Sequence, residues 1–139
     1  MQMERTIYLV DDDEDDRMFI SGAIHQVLDR VNVIEFDNGI DFLQLMASLP
    51  LSQESAIILM DINMPRMSGM EVISALKANL DHRHLPILVI STATDTRLID
   101  KIITNGASGY FAKPGNLEEI QQLALNIKDF YVKHYPSVN

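Results

Sequence analysis

The sequence contains no cysteine and no long apolar run, and both absences exclude classes of function. Without cysteine the chain has no disulfides, no thiol redox chemistry and no thiolate metal site. Its longest apolar runs, such as residues 56–60, are far shorter than the ~20 residues that span a bilayer. The first six residues also lack the basic-then-apolar pattern of a signal peptide. We therefore expect a soluble, cytoplasmic protein with no membrane contact.

Basic residues are scarce as well. There are 11 of them against 20 acidic residues, which gives a formal net charge of −9. A chain this acidic is repelled by the phosphate backbone of nucleic acids, so we expect no nucleic-acid binding. Much of the negative charge lies in one run, residues 11–16. Its last three members, Glu14, Asp15 and Asp16, suit the first turn of a helix without any metal.

Short apolar runs alternate with longer amphipathic segments along the 139 residues. Four runs rich in branched or aromatic side chains predict buried strands, namely residues 7–10, 56–60, 87–90 and 110–112. Residues 31–36 carry polar side chains too and predict a strand nearer the sheet edge. This alternation predicts an α/β fold with a doubly wound five-stranded parallel sheet in the order 2-1-3-4-5. Five such units fill the chain, so we expect one domain over residues 1–139 and no output domain.

Helical periodicity predicts five helices between and after these strands. The third is predicted to bury a face that extends from Val72 to Leu80. Residue types that cap helices precede four of these helices. Asp13 is predicted to cap the first helix, Ser68 the third, Asp95 the fourth and Asn116 the fifth.

The residues that follow the predicted strands carry the candidate chemistry, because ligands of open α/β sheets bind beyond the carboxyl ends of the strands. They are three carboxylates, two hydroxyls and a lysine: Asp11, Asp12, Asp61, Ser91, Thr92 and Lys113. A glycine-rich phosphate loop is absent after the first strand, and carboxylates there would repel phosphate. Three close carboxylates need a cation or protons. Mg²⁺ fits this set, because it takes oxygen ligands and commonly bridges carboxylates to a phosphate.

Asp61 is the candidate phosphoryl acceptor, because it ends the central strand and leads into the turn at residues 62–69. In-line attack of a carboxylate on phosphorus needs mainly positioning and neutralisation of charge. Mg²⁺, Lys113 and a hydroxyl of Ser91 or Thr92 would supply that neutralisation. The product is a labile acyl phosphate, which suits a reversible signal.

Four stretches of sequence, in order and each with its own strand, carry a family resemblance: YLVDDD at 8–13, LMDINMP at 59–65 with Gly69, LPILVISTA at 85–93 and GASGYFAKP at 106–114. With these motifs nearly the whole chain resembles the receiver domain of two-component response regulators, in its single-domain form with a flavodoxin-like fold. Three features depart from the family. Segment 48–55 is longer than in the shortest receivers, and Gly115 stands where an aromatic residue often follows the Lys-Pro pair. Thr92 is bulkier than the alanine that often stands next to the switch hydroxyl.

The resemblance implies a metal site and an acceptor. Asp61 would be the phosphoacceptor and would also bind the metal. Asp12 would bind Mg²⁺ directly, Asp11 would bind it through water, and the backbone carbonyl of Asn63 would be a further ligand.

The resemblance also implies a switch. Ser91 would be the hydroxyl that moves to bond the phosphoryl group, and Tyr110 the aromatic residue that turns inward after it. Lys113 would contact a phosphoryl oxygen. In the family, the peptide before the proline that corresponds to Pro114 is usually cis.

As a member of this family the chain would be a signalling switch and not an enzyme, with only Mg²⁺-dependent self-phosphorylation and autodephosphorylation. Its donor would be a sensor histidine kinase or a histidine phosphotransfer protein. A downstream protein would bind the face formed by the fourth helix, fifth strand and fifth helix, where Lys101, Tyr110 and Lys128 are displayed. The pathway stays open, as does the choice between monomer and weak dimer.

Two other functions compete with the switch. A small-molecule phosphatase would want a second acid two residues after Asp61, where Asn63 stands, and a cap over the substrate. A binding module that is never phosphorylated would have no need of Asp61, Ser91 and Lys113 together. His82 and His84 lie near Asp81 in a polar stretch, which we interpret as a solvated loop and not as a metal site.

Overall fold

The computed structural model describes residues 5–49, 55–92 and 94–136. Strands and helices alternate along these ranges: β1 Arg5–Val10, α1 Glu14–Val27, β2 Val31–Phe36, α2 Gly39–Ser48, β3 Ala56–Met60, α3 Gly69–Ala78, β4 Ile87–Ser91, α4 Thr96–Thr104, β5 Gly109–Ala112 and α5 Leu117–His134. The strands are parallel in the order β2-β1-β3-β4-β5, as the sequence predicted. The longer connection at residues 48–55 lies largely outside the described residues.

The sheet separates two apolar cores, because side chains along a strand alternate between its faces. Tyr8 and Val10 of β1 face the core that contains α2, α3 and α4. Ile7 and Leu9 face the core that contains α1 and α5. β1, β3 and β4 are therefore covered on both faces, which explains their nearly uninterrupted apolar sequences. None of the helices in the described ranges has both the length and the apolar character needed to cross a membrane.

β5 is less buried than its apolar sequence predicted. Tyr110 and Phe111 are only half-buried, and Ala112 is exposed. The reason is position, since β5 pairs with β4 and forms one edge of the described sheet. β2 forms the opposite edge of the described sheet. This position confirms the prediction made from the polar residues in its sequence.

The end of α3 corrects two further predictions. The helix ends at Ala78, so Leu80 lies beyond it and is 73% exposed instead of packing in the core. Asn79 turns the chain here, because its side-chain oxygen accepts the backbone N–H of Asp81 at 2.8 Å and its carbonyl accepts that of His82 at 3.1 Å. His82 is consequently buried at 4% exposure, not part of a solvated loop.

All four predicted N-caps are confirmed, and Asn38 caps α2 in the same way. Ser68 forms a reciprocal capping box. Its hydroxyl accepts the backbone N–H of Glu71 at 3.3 Å, and the Glu71 carboxylate accepts the Ser68 N–H at 3.5 Å. A side-chain oxygen at this position satisfies a backbone donor that the helix itself leaves unpaired.

We expect Ser68→Ala to lower the free energy of unfolding by about 1 kcal/mol, because the α3 N-terminus loses its acceptor. Urea denaturation followed by circular dichroism measures this change. Ser68→Asp keeps an acceptor and should stay within a few tenths of a kcal/mol of the parent protein. Equal losses in the two variants would show that the cap does not stabilise α3.

Candidate functional site

Backbone pairing fixes two aspartates at the carboxyl edge of the sheet. The backbone N–H of Asp61 donates to the carbonyl of Val10 at 2.9 Å, one residue past the end of β3. The N–H of Asp11 donates to the carbonyl of Phe36 at 3.0 Å, one residue past the end of β1. Both side chains therefore start from positions that the parallel ladder holds in register.

Three carboxylates converge at this edge. Asp11, Asp12 and Asp61 each offer an oxygen, and these oxygens lie within 4.8 Å of one another. Asp11 and Asp61 are 2% and 5% exposed, whereas Asp12 is exposed. The Asp11 carboxylate is further held by the backbone N–H of Asp13, which donates to its Oδ1 at 2.9 Å. The predicted acidic cluster thus exists as a compact group with one open side.

Lys113 brings a positive charge into the cluster from the end of β5, where its N–H donates to the carbonyl of Ser91 at 2.9 Å. Its Nζ lies 3.3 Å from Asp61 Oδ2 and 3.1 Å from Asp11 Oδ2. A third carboxylate, that of Asp16, is nearer at 2.8 Å. Burial lowers the pKa of Lys113, but the three carboxylates outweigh that effect and raise it. Lys113 is therefore a permanently charged group at this site.

The acidic cluster disfavours its own ionised form. Burial, together with the nearby charge of Asp11, raises the pKa of Asp61 from 3.8 to about 6, although Lys113 and the backbone N–H of Asn63 oppose the rise. Burial likewise raises the pKa of Asp11, against the N–H of Asp13 and the charge of Lys113. One lysine thus leaves the negative charge incompletely compensated.

This donor set fits a hard divalent cation. The oxygens are close enough to share one ion, and burial raises the pKa values of Asp11 and Asp61, so a cation there would favour their ionised forms. Mg²⁺ prefers carboxylate oxygen and keeps part of its water shell, which the exposed side at Asp12 allows.

The other predicted site residues lie around this cluster. Ser91 ends β4 at the same edge and is fully buried. The Tyr110 hydroxyl donates to the backbone carbonyl of Ser91 at 3.2 Å, which ties β5 to the end of β4. Asn63 directs its backbone N–H at the Asp61 carboxylate. The peptide before Pro114 is trans, not cis as the resemblance implied; the two isomers of such a bond differ by only about 0.5–1 kcal/mol in preference.

Sequence reasoning missed two residues of the site, Asp16 and Arg17. Arg17 donates from one terminal nitrogen to the backbone carbonyl of Asp11 at 2.6 Å, and from Nε to Glu35 at 3.2 Å. Asp16 pairs with Lys113. Side chains in the first turn of a helix lean toward its N-terminus, so both residues lean back toward the strand end that precedes α1.

Fold and site together define a class: a doubly wound α/β domain whose carboxyl edge combines an acidic cluster with one lysine. The sequence matches the family described as response regulator receiver domain over residues 7–125. The chain belongs to this family.

Similar proteins and structures agree with this assignment. The chain is 24% identical to the response regulator Rcp1 of Synechocystis sp., covering 93% of this chain and 90% of that protein. The crystal structure of Mn(2+)-bound Rcp1 aligns with a TM-score of 0.80 at 21% identity, covering 91% of this chain and 93% of that one. The phosphorylated cyanobacterial phytochrome response regulator RcpA aligns with a TM-score of 0.83 at 23% identity, covering 93% and 94%. At these identities the two structures establish a shared fold.

Some relatives are much longer than this chain. A cyclic di-GMP phosphodiesterase of Thermotoga maritima is 31% identical over 113 residues, which cover 81% of this chain and 28% of that protein. Histidine kinase P4 of Formosa agariphila is 27% identical over 124 residues, which cover 88% of this chain and 8% of that protein. The similarity to these proteins is therefore confined to a small part of each.

Proposed function

We propose that this chain is a phosphorylation switch in which Asp61 accepts a phosphoryl group in a Mg²⁺-dependent reaction. The observation that carries the proposal is the convergence on a buried Asp61 of two further carboxylates, with oxygens within 4.8 Å, and of the Lys113 ammonium at 3.3 Å. Asp61 follows β3, the middle strand of the described sheet, and lies close to both the other carboxylates and the Lys113 ammonium. The Mn(2+)-bound form of Rcp1 and the phosphorylated form of RcpA, which share the fold, support the metal and the phosphoryl acceptor.

The proposed transfer is a simple displacement at phosphorus. An oxygen of Asp61 attacks the phosphorus of a phosphohistidine while the P–N bond breaks. The electron pair of that bond leaves with the imidazole nitrogen, which takes up a proton, and the new P–O bond gives an acyl phosphate. At pH 7 a pKa of about 6 leaves Asp61 mostly ionised and able to attack. The signal ends when water attacks the phosphorus, inorganic phosphate leaves and the carboxylate is regenerated.

The surrounding residues would neutralise charge during this displacement. Mg²⁺, when bound by Asp11, Asp12, Asp61 and the Asn63 carbonyl, supplies positive charge beside the phosphoryl oxygens. Lys113 donates to another phosphoryl oxygen, and the Ser91 hydroxyl donates once it has moved toward the group. Mg²⁺, Lys113 and Ser91 all act on the phosphoryl group of Asp61. In this proposal the chain therefore catalyses only its own phosphorylation and dephosphorylation.

The donor in this proposal is a sensor histidine kinase or a histidine phosphotransfer protein. The output is a change of the surface formed by α4, β5 and α5, which a partner protein reads. Lys101 and Lys128 are exposed on this surface and Tyr110 is half-buried at its strand, where it contacts the end of β4. Phosphorylation would shift an existing equilibrium between two arrangements of that surface. The cytoplasmic location stays a prediction.

Phosphoramidate tests the proposal directly, because transfer to Asp61 breaks its P–N bond and releases ammonia. We expect intact-mass measurement to detect one added phosphoryl group with Mg²⁺ present and none with EDTA. Asp61→Asn should lose the adduct completely, since an amide cannot form the acyl phosphate. Asp129→Asn makes the same chemical change on the exposed face of α5 and should behave as the parent does.

An adduct that persists in Asp61→Asn would move the acceptor to another residue. No adduct at all, together with no spectral change on adding beryllofluoride and Mg²⁺, would contradict the switch and leave a binding module. These outcomes separate the two functions without knowledge of the natural donor.

A further inference from the structure

Asp16 is the nearest carboxylate to the Lys113 ammonium. The distance is 2.8 Å from Nζ to Asp16 Oδ2, compared with 3.1 Å to Asp11 and 3.3 Å to Asp61. Asp16 lies in the first turn of α1, and its side chain is 36% exposed. The pair therefore joins α1 to the residue that follows β5, directly across the acidic cluster.

This pair differs from an ordinary surface salt bridge. Exposed pairs contribute little because water screens both charges. Here the Lys113 side chain is only 15% exposed, and its ammonium is shared with two carboxylates that are 3% and 5% exposed. An ammonium has three N–H groups, and three carboxylates already surround this one. A phosphoryl group on Asp61 would need at least one of those donors.

We propose that Asp16 restrains Lys113 and competes with the phosphoryl group on Asp61 for its ammonium, so that it limits the population of the phosphorylated form. The inference rests on the proposed function of Asp61. Asp16 acts through Lys113 and not on the reacting atoms, so it is a positioning residue. The Asp16 carboxylate also places a negative charge beside Lys113, the residue that would neutralise the phosphoryl oxygens.

Removing this carboxylate should favour phosphorylation. Asp16→Asn leaves Lys113 with Asp11 and Asp61 as its charged partners, and the neutral amide that replaces the carboxylate competes less strongly with a phosphoryl oxygen for the ammonium. One unit charge at a distance of several ångströms, even in a water-like dielectric, changes such an equilibrium about fivefold. Asp15→Asn is a matched control, because Asp15 is the neighbouring acid of the same helical turn, is exposed, and makes the same change in net charge.

The measurement is the ratio of phosphorylated to unphosphorylated protein, by intact mass, at one subsaturating phosphoramidate concentration with Mg²⁺. We expect the ratio to rise about fivefold in Asp16→Asn. It should stay within about twofold of the parent in Asp15→Asn, whose charge is screened. Asp16→Glu retains the carboxylate and should return the ratio toward that of the parent, which a merely structural role of Asp16 would not predict.

Each outcome decides a different point. Equal ratios in Asp16→Asn and Asp15→Asn would overturn the competition while leaving Asp61 as the acceptor. A lower ratio in Asp16→Asn would overturn it as well, because Asp16 would then be helping Lys113 to reach the phosphoryl group. Absence of an adduct in the parent protein would instead contradict the proposed function. Failure of the inference and failure of the function are thus distinguishable.

Discussion

Replacing Gly69 with alanine is expected to destabilise the protein and to slow the phosphorylation of Asp61 at the same time. A Cβ at this position would lie 2.3 Å from the backbone carbonyl oxygen of Asp61 and 2.9 Å from Cα of Ile62. Both are backbone atoms, so no side-chain rotation relieves the contact. Gly69 begins α3 and donates its N–H to the carbonyl of Ile62 at 2.9 Å, which explains why the chain approaches so closely.

We expect Gly69→Ala to lower the free energy of unfolding by about 2–3 kcal/mol, the upper range for overpacking a tight contact. Relief of the contact displaces the backbone of the acceptor, and a misplacement of about 1 Å can slow a reaction roughly 100-fold. Urea denaturation and the initial rate of phosphoramidate labelling measure the two effects.

Gly22→Ala provides a control of opposite sign. A Cβ at Gly22, on the exposed side of α1, meets no atom within 4 Å. The variant should gain about 0.5–1 kcal/mol from higher helix propensity and keep the labelling rate. A Gly69→Ala protein with parental stability and labelling would show that the β3–α3 loop can move away without affecting Asp61.

The order of strands and helices was predictable because burial on both faces makes the central strands plainly apolar. The capping residues were predictable because each is a polar side chain just before a periodic segment. The degree of burial of β5 was not predictable in this way. The apolar character of Tyr110 and Phe111 predicts core residues. The exposure of these side chains follows from the strand order, which puts β5 at an edge of the sheet. α3 ends at Ala78 because Asn79 forms a turn. The spacing of apolar residues along the helix does not predict that turn.

Most of the candidate site was predictable for a topological reason. Asp11, Asp61 and Lys113 directly follow strands, and parallel strands bring their carboxyl ends to one edge. Asp16 was not predicted as a site residue, because the helix dipole alone accounts for acidic residues in the first turn of a helix. Its contact with Lys113 depends on the direction in which α1 leaves the sheet. That direction is a property of packing and not of the local sequence.

The metal-free protein should become more stable when Asp61 is replaced by asparagine at neutral pH. Asp61 is almost fully buried, and its ionised form lacks full compensation, so its pKa rises from 3.8 to about 6. A shift of this size corresponds to about 3 kcal/mol, since one pKa unit equals about 1.4 kcal/mol. The asparagine removes the buried charge, and Lys113 retains Asp11 and Asp16 as partners.

The pH dependence has a definite sign. Below pH 3.8 the carboxyl is protonated in both the folded and the unfolded state, and Asp61 imposes no penalty on folding. As the pH rises from about 4 to about 6, the unfolded chain loses the proton more readily than the folded one, and the parent protein loses stability relative to Asp61→Asn. Above about pH 6 the difference is constant at its full value.

Urea denaturation in EDTA at several pH values between 4 and 8 measures this difference. We expect the two proteins to be similar near pH 4 and Asp61→Asn to be more stable by about 3 kcal/mol near pH 7.5. Mg²⁺ at about 100 times its dissociation constant should narrow this difference, because the ion stabilises the parent by about 2.7 kcal/mol and stabilises the variant, which binds it less tightly, by less. Parallel pH profiles for the two proteins in EDTA would mean that the Asp61 charge is already compensated without a metal. The acidic cluster would then need no Mg²⁺ to compensate its negative charge.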